Sequence, residues 1–182
     1  MTYTSDWHSR HAAVWQKLVL PRLACKRVRW LEIGSHEGRS AVWTLENAIK
    51  PGDELVCVDY WPHAAAEAKF DENVGSRVTK VKQDATRYLI EAAGRGERYQ
   101  CIYVDSDHDG RAIVEQAAIA WLMLAVGGVM IFDDYRWKHP ASQVGNIDPC
   151  VGIDAFLASY ALELTLLHKG DQVIVEKRAH VY

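Results

Sequence analysis

The sequence is short of several features that would settle its class at once. No apolar run reaches the roughly 18 residues that a membrane span needs, and the N-terminal MTYTSDWHSRH has no continuous apolar region of the signal-peptide kind. A cytoplasmic location is the resulting expectation. The four cysteines, Cys25, Cys57, Cys101 and Cys150, form no C-x-x-C pair, which leaves zinc and disulfides little support. Cys57 and Cys101 sit in apolar strand-like runs and read as buried thiols. Basic excess is missing as well: the net charge is -3, which argues against nucleic acid and anionic membrane as partners. The chain also lacks internal repeats and interdomain linkers. At 182 residues it reads as one domain, with an N-terminal helical extension over 1–27 and a core over 28–182.

What is present alternates between short apolar runs and longer helical stretches. VRWLEI (28–33), ELVCVD (54–59), RVTKVK (77–82), YQCIYVD (99–105) and VMIFDD (129–134) predict five strands. Helices are predicted over 8–19, 40–49, 63–73, 85–93, 111–124 and 151–160. Ser40 is the candidate N-cap of the second of these, and Pro51-Gly52 stops it. In the 111–124 helix, Ile113, Val114, Ala117, Ala118, Trp121 and Leu122 form one apolar face. LELTLLH and DQVIVEK, joined by Lys169-Gly170, read as a closing hairpin. Strands alternating with helices predict an α/β protein with a mainly parallel sheet, and the hairpin adds an antiparallel strand towards one edge.

In such sheets ligands collect at the carboxyl ends of the strands. Here those ends read EIGSHEGRS, VDYW, KQDAT, VDSDHDG and FDDYRW, an acid in every case. Helix capping accounts for one or two such acids; five together point to a shared polar cleft. Gly34 and Gly38 let backbone approach a ligand, but their G-x-x-x-G spacing is not the G-x-G-x-x-G that seats a pyrophosphate. Glu32 would repel a pyrophosphate and attract a cationic ligand. Asp59 is placed to accept hydrogen bonds from a ribose diol, Tyr60 and Trp61 to stack on a base, and Asp84 to line the same edge. For the cluster at 105–109 three readings stand side by side: a divalent-metal site, a general base, or caps for the next helix.

The segments LEIGSHEGRSAVWTLENAI, VDYW, KQDAT, YVDSDHDG and GGVMIFDDY, in that order, resemble the class I S-adenosylmethionine-dependent methyltransferases. The likeness is to their small-molecule O-methyltransferase-like group, of the methyltransferase domain 24 type, and spans residues 28–177. It implies a Rossmann-like seven-stranded sheet of order 3-2-1-4-5-7-6 with an antiparallel strand from the last hairpin. It further implies that Glu32, Gly34, Ser35, Gly38 and Ser40 surround the methionine part of S-adenosyl-L-methionine. Asp59, with Tyr60 and Trp61, would hold the ribose and base, and Asp84 and Ala85 would border the adenine.

In metal-dependent members of such groups, acids at the positions of Asp105, Asp133 and Asp134 bind Mg2+, so the resemblance allows a metal-assisted reaction. Asp105 also faces the cofactor, and Asp107 or His108 would be the base. Asp109 reads as a plain helix cap. Ser106 departs from the pattern, where glycine is usual. The implied activity is methyl transfer to a hydroxyl of a small-molecule acceptor, and the group suggests a homodimer, with Trp7 and Trp15 of the N-terminal helix as candidate surface. Tyr135 and Trp137 form a candidate substrate wall, and His36, His63 and His139 read as loop histidines. Two other classes compete: a nicotinamide-dependent oxidoreductase, which predicts affinity for NAD, and a non-catalytic cofactor-binding protein, which predicts binding without transfer.

Overall fold

Runs that are apolar on both faces become interior strands when helices cover both sides of a sheet. The computed structural model describes residues 2–24, 26–140 and 145–178, and its centre is built from such runs. They are β1 (Arg29–Ile33), β2 (Glu54–Asp59), β4 (Tyr99–Val104) and β5 (Leu124–Phe132). The shorter β3 (Thr79–Lys82) carries lysines and lies at one edge, where charge discourages further pairing. β6 (Leu164–Lys169) and β7 (Val173–Lys177) form the hairpin. The sheet order is β3-β2-β1-β4-β5-β7-β6, as the resemblance implies. β1 to β5 are parallel, and β7 runs antiparallel to β5, one strand in from the edge that β6 occupies.

The connecting helices are α3 (Arg39–Asn47), α4 (Ala64–Val74), α5 (Ala85–Gly94), α6 (Gly110–Met123) and α7 (Pro149–Ser159). Two apolar clusters fill the two faces of the sheet. α6 buries Ile113, Ala117 and Trp121 as expected, but Leu122 is exposed, while Gln116, Ala120 and Met123 turn inward. The buried stripe is therefore rotated from the one apolarity alone marks. Helices α6 and α7 touch through backbone: a Cβ on Gly152 would lie 1.9 Å from the Gly110 carbonyl oxygen.

Two predicted boundaries shift. The 8–19 helix is instead a 3-10 turn (Ser9–His11), α1 (Ala12–Leu18) and α2 (Leu20–Leu23). Pro21 stands in the first turn of α2, where its missing N–H breaks no helical bond. β5 begins at Leu124 directly after α6, five residues before the predicted start. Gly127, at φ +71°, lies in the stretch where pairing with β4 shifts register.

Trp15 of α1 is fully buried against Trp30, Trp43 and Tyr103, with ring centroids 5.0–5.5 Å apart. It is thus withdrawn from the proposed dimer surface, whereas Trp7 is 62% exposed. Cys57 and Cys101 are buried free thiols and Cys150 is half-buried; Cys25 lies outside the described residues. Among the described residues no helix is long and apolar enough to cross a membrane.

Candidate active site

The parallel strands deliver their last residues to one edge, and a cavity of about 640 Å3 opens there. Gly34, just after β1, has φ +89°, and a side chain on it would meet the Asp105 carbonyl oxygen at 2.1 Å. Only glycine lets this turn lie against the end of β4. Gly38, at φ +80°, precedes α3 as its N-cap residue. The expected cap, Ser40, sits inside the helix, and its hydroxyl donates to Glu32 Oε1 at 3.1 Å.

Of the residues singled out in the sequence, Gly34, Asp59, Tyr60, Trp61, Asp84, Ala85, Asp105, Asp107, His108, Asp133 and Asp134 line the cavity. Ser35 and Ser40 line a recess of about 50 Å3 beside it. Glu32 and Gly38 line neither, standing behind the turn. Asp59 Oδ2 accepts the Ser35 and His36 amides at 3.0 and 2.9 Å, and Oδ1 accepts the Trp61 amide at 2.7 Å. Each oxygen keeps lone-pair capacity for a further donor.

Trp61 is a fixed wall rather than a loose ring: it packs on Phe70 at 4.7 Å and its indole donates to the His36 carbonyl at 2.7 Å. Tyr60 is exposed. Asp84 accepts the Arg87 amide at 2.9 Å and caps α5.

Glu32 is completely buried, with the hydroxyls of Ser40 and Ser35 beside its carboxyl. Burial pushes the Glu32 carboxyl up to about 8.

At the other end of the cavity Tyr103, buried in β4, reaches two acids with one hydroxyl: Asp105 Oδ2 at 2.9 Å and Asp133 Oδ2. Gln172 donates to the same Asp133 oxygen at 3.0 Å while accepting the Trp15 indole N–H at 2.7 Å. The Asp134 amide donates to Asp133 Oδ1 at 2.7 Å. Burial and the charges of Asp133 and Asp134 hold the Asp105 carboxyl well above the usual range. A hydroxyl has one proton, so Tyr103 can donate to Asp133 and accept from a protonated Asp105.

These donors bear on the expected Mg2+ site. A cation needs carboxylate oxygens turned towards one empty point. Instead Asp105 and Asp133 face Tyr103 and Gln172, and Asp134 Oδ2 faces His108 Nε2 at 2.8 Å. Among the described residues no group of three or more His, Cys, Asp or Glu side chains is placed to hold a metal ion. The residues present do not fit the metal.

His108 packs against Trp137 with the rings tilted by 47° and their centroids 4.7 Å apart, and the Asp134 hydrogen bond raises its pKa. Asp134 reaches it from a left-handed backbone, φ +56°, which aspartate tolerates better than most residues. Asp107 Oδ1 accepts the Asp109 amide at 2.7 Å. Asp109 caps α6 through the Arg111 amide at 2.9 Å, as expected. Ser106 takes the usual glycine's place without a positive φ and bonds Gln116 Oε1 at 2.6 Å. His36, His63 and Trp137 line the cavity, whereas Tyr135 and His139 do not. Tyr135 bonds Asp154, and His139 Nε2 lies 2.8 Å from the His108 carbonyl oxygen.

The methyltransferase domain profile matches residues 31–135, more than half of the 182-residue chain. The chain belongs to the methyltransferase domain family. Solved structures agree on the fold. An O-methyltransferase from Bacillus cereus, in complex with SAH, is 20% identical at TM-score 0.71, over 96% of this chain and 84% of its own. The O-methyltransferase TomG from Streptomyces achromogenes, in complex with SAM, is 17% identical at TM-score 0.73, over 94% and 81%. MycE from the mycinamycin biosynthetic pathway, with Mg, SAH and mycinamycin VI, is 16% identical at TM-score 0.71, over 97% and 51%. No curated protein is significantly similar in sequence.

Several residues of this methyltransferase's cavity and its supports are not assigned there by sequence reasoning, among them Tyr103, Gln172, Trp7 and Arg10. Tyr103 lies two positions before Asp105, on the same strand face, and that alternation is a signal that could have found it. Gln172 enters only because β7 inserts beside β5. Trp7 and Arg10 reach the cavity from the N-terminal segment, which carries no motif.

Proposed function

We propose that this methyltransferase uses S-adenosyl-L-methionine to methylate a hydroxyl of a small molecule. The observation that carries the reading is the acid-lined cavity at the strand ends, where Asp59, Asp84, Asp105 and Asp107 stand beside the Gly34 turn. Such a lining suits a cationic cofactor and disfavours a pyrophosphate. That sets the nicotinamide alternative aside on chemistry as well as on family. Asp59 would take the ribose hydroxyls, Asp84, Ala85 and Tyr60 would border the base, and Asp105 would face the reacting end. The binding of SAH or SAM by structural neighbours supports the same cofactor. A cavity of about 640 Å3 is of the size that takes a cofactor and a small acceptor.

S-adenosyl-L-methionine supplies a methyl group on a positively charged sulfur. The chain's part is to hold the acceptor oxygen in line and to remove its proton. With Nε2–H bonded to Asp134, the neutral His108 ring has its lone pair on Nδ1, and Asp134 stabilises the imidazolium once the proton arrives. Asp107 is the second candidate base, one of its oxygens being engaged by the Asp109 amide. Trp137 and Trp7 give the acceptor apolar walls. Calorimetry with SAH and with NADH tests the reading: SAH binds and NADH does not. Absence of SAH binding would overturn it. An acceptor screen then separates an enzyme from a non-catalytic binder, with His108→Ala losing transfer but not SAH affinity.

A further inference from the structure

Three acids within one corner of a methyltransferase invite a divalent cation, yet each is already hydrogen-bonded by a side chain of the protein. Tyr103 and Gln172 converge on Asp133, Tyr103 also reaches Asp105, and His108 holds Asp134. Tyr103, Gln172 and Trp15 are essentially fully buried, so water does not compete for these bonds. The chain of contacts is continuous from the Trp15 indole through Gln172 to Asp133, then through Tyr103 to Asp105.

We propose that Tyr103 and Gln172 form a hydrogen-bonded bracket that takes the place of a divalent cation, acting as positioning residues for Asp105 and Asp133. A cation compensates converging carboxylates with charge; the bracket does so with two directed donors to Asp133, the Gln172 NH2 and the Tyr103 hydroxyl, the hydroxyl being shared with Asp105. Gln172 is fixed in the required orientation because its carbonyl oxygen accepts the Trp15 N–H, which turns its NH2 towards Asp133. Calling the corner catalytic rests on the methyl-transfer reading; its donor-filled geometry does not.

Mn2+ titrated into the full chain, with the free ion followed by electron paramagnetic resonance, tests the bracket. The wild type leaves Mn2+ free. Gln172→Glu keeps an acceptor for Trp15 but replaces the donor facing Asp133 by a fourth carboxylate. Tyr103→Phe removes the shared hydroxyl with little change of shape. Each variant gains Mn2+ affinity by about tenfold or more, since the displaced donor bonds no longer compete. A merely structural role for either residue would lower stability without creating a cation site.

One tightly bound Mn2+ per wild-type chain, lost in Asp133→Asn, would overturn the proposal. So would two folded variants that both leave Mn2+ free. The two substitutions stress the fold differently, one by burying a carboxylate and the other by removing a hydroxyl, so a folded sample of either one decides the test. SAH calorimetry on the wild type runs separately, and its failure would count against the methyl-transfer reading alone.

Discussion

Glu32 makes a stability experiment out of a binding-site residue. Its carboxyl is displaced from the ordinary 4.5 to about 8 by burial. Below about 4.5 both folded and unfolded chains carry the proton, and Glu32 costs the fold little. Between 4.5 and 8 the unfolded chain releases the proton while the folded one keeps it, so stability falls as pH rises. At 1.36 kcal/mol per pH unit the full loss is about 5 kcal/mol, and at pH 7 about 3 kcal/mol. Glu32→Gln stays neutral throughout and escapes this loss. Calorimetric melting without ligand should therefore give similar Tm values for both proteins near pH 5, apart from a fixed packing difference. At pH 8 the variant should melt higher by about 10–20 °C, taking about 2–4 °C per kcal/mol for a chain of this size. Parallel Tm–pH curves for the two proteins would refute the reasoning, because Glu32 would then ionise alike in both states.

If His108 is the base, the acid limb of the pH–rate profile lies above the ordinary histidine value, since the Asp134 hydrogen bond raises its pKa; Asp134→Asn moves the limb to lower pH, and an unmoved limb rules His108 out. The same pairing stabilises the fold below the unfolded histidine pKa and is lost as pH rises through the folded one, which histidine titration by NMR would follow. Gly34→Ala sets a Cβ 2.1 Å from the Asp105 carbonyl oxygen; the shift it forces abolishes SAH affinity by calorimetry, with a stability loss of about 1–3 kcal/mol. Gly152→Ala, far from the cofactor turn, forces α6 and α7 apart and lowers urea stability by about 1–3 kcal/mol or more.

Strand identity and order were legible because parallel strands are apolar on both faces and separated by helical stretches, which leaves few alternatives. The acids at strand ends were legible for the same reason: each directly follows a run whose direction is fixed. Boundaries at α6 and β5 were not, because Leu124–Gly128 suits either a helix end or a strand start and only pairing with β4 decides. Function of individual side chains was harder still. Asp59, Asp84 and Asp133 are all acids at an edge, yet one fastens the glycine turn, one caps α5 and one is clamped by donors. Those differences are set by neighbours brought in from other strands, and Gln172, 39 residues from Asp133 in sequence, carried no local sign of its place.

The stretch that identifies the family, residues 31–135, and the residues that finish the corner are not the same. Trp15 precedes it and Gln172 follows it, and both are needed to hold Asp133 as it stands. Family likeness is thus inherited through the sheet, while the chemistry at its edge is free to diverge through the flanks. A deletion that starts the protein at the first strand would preserve every recognisable motif and still undo the corner they surround.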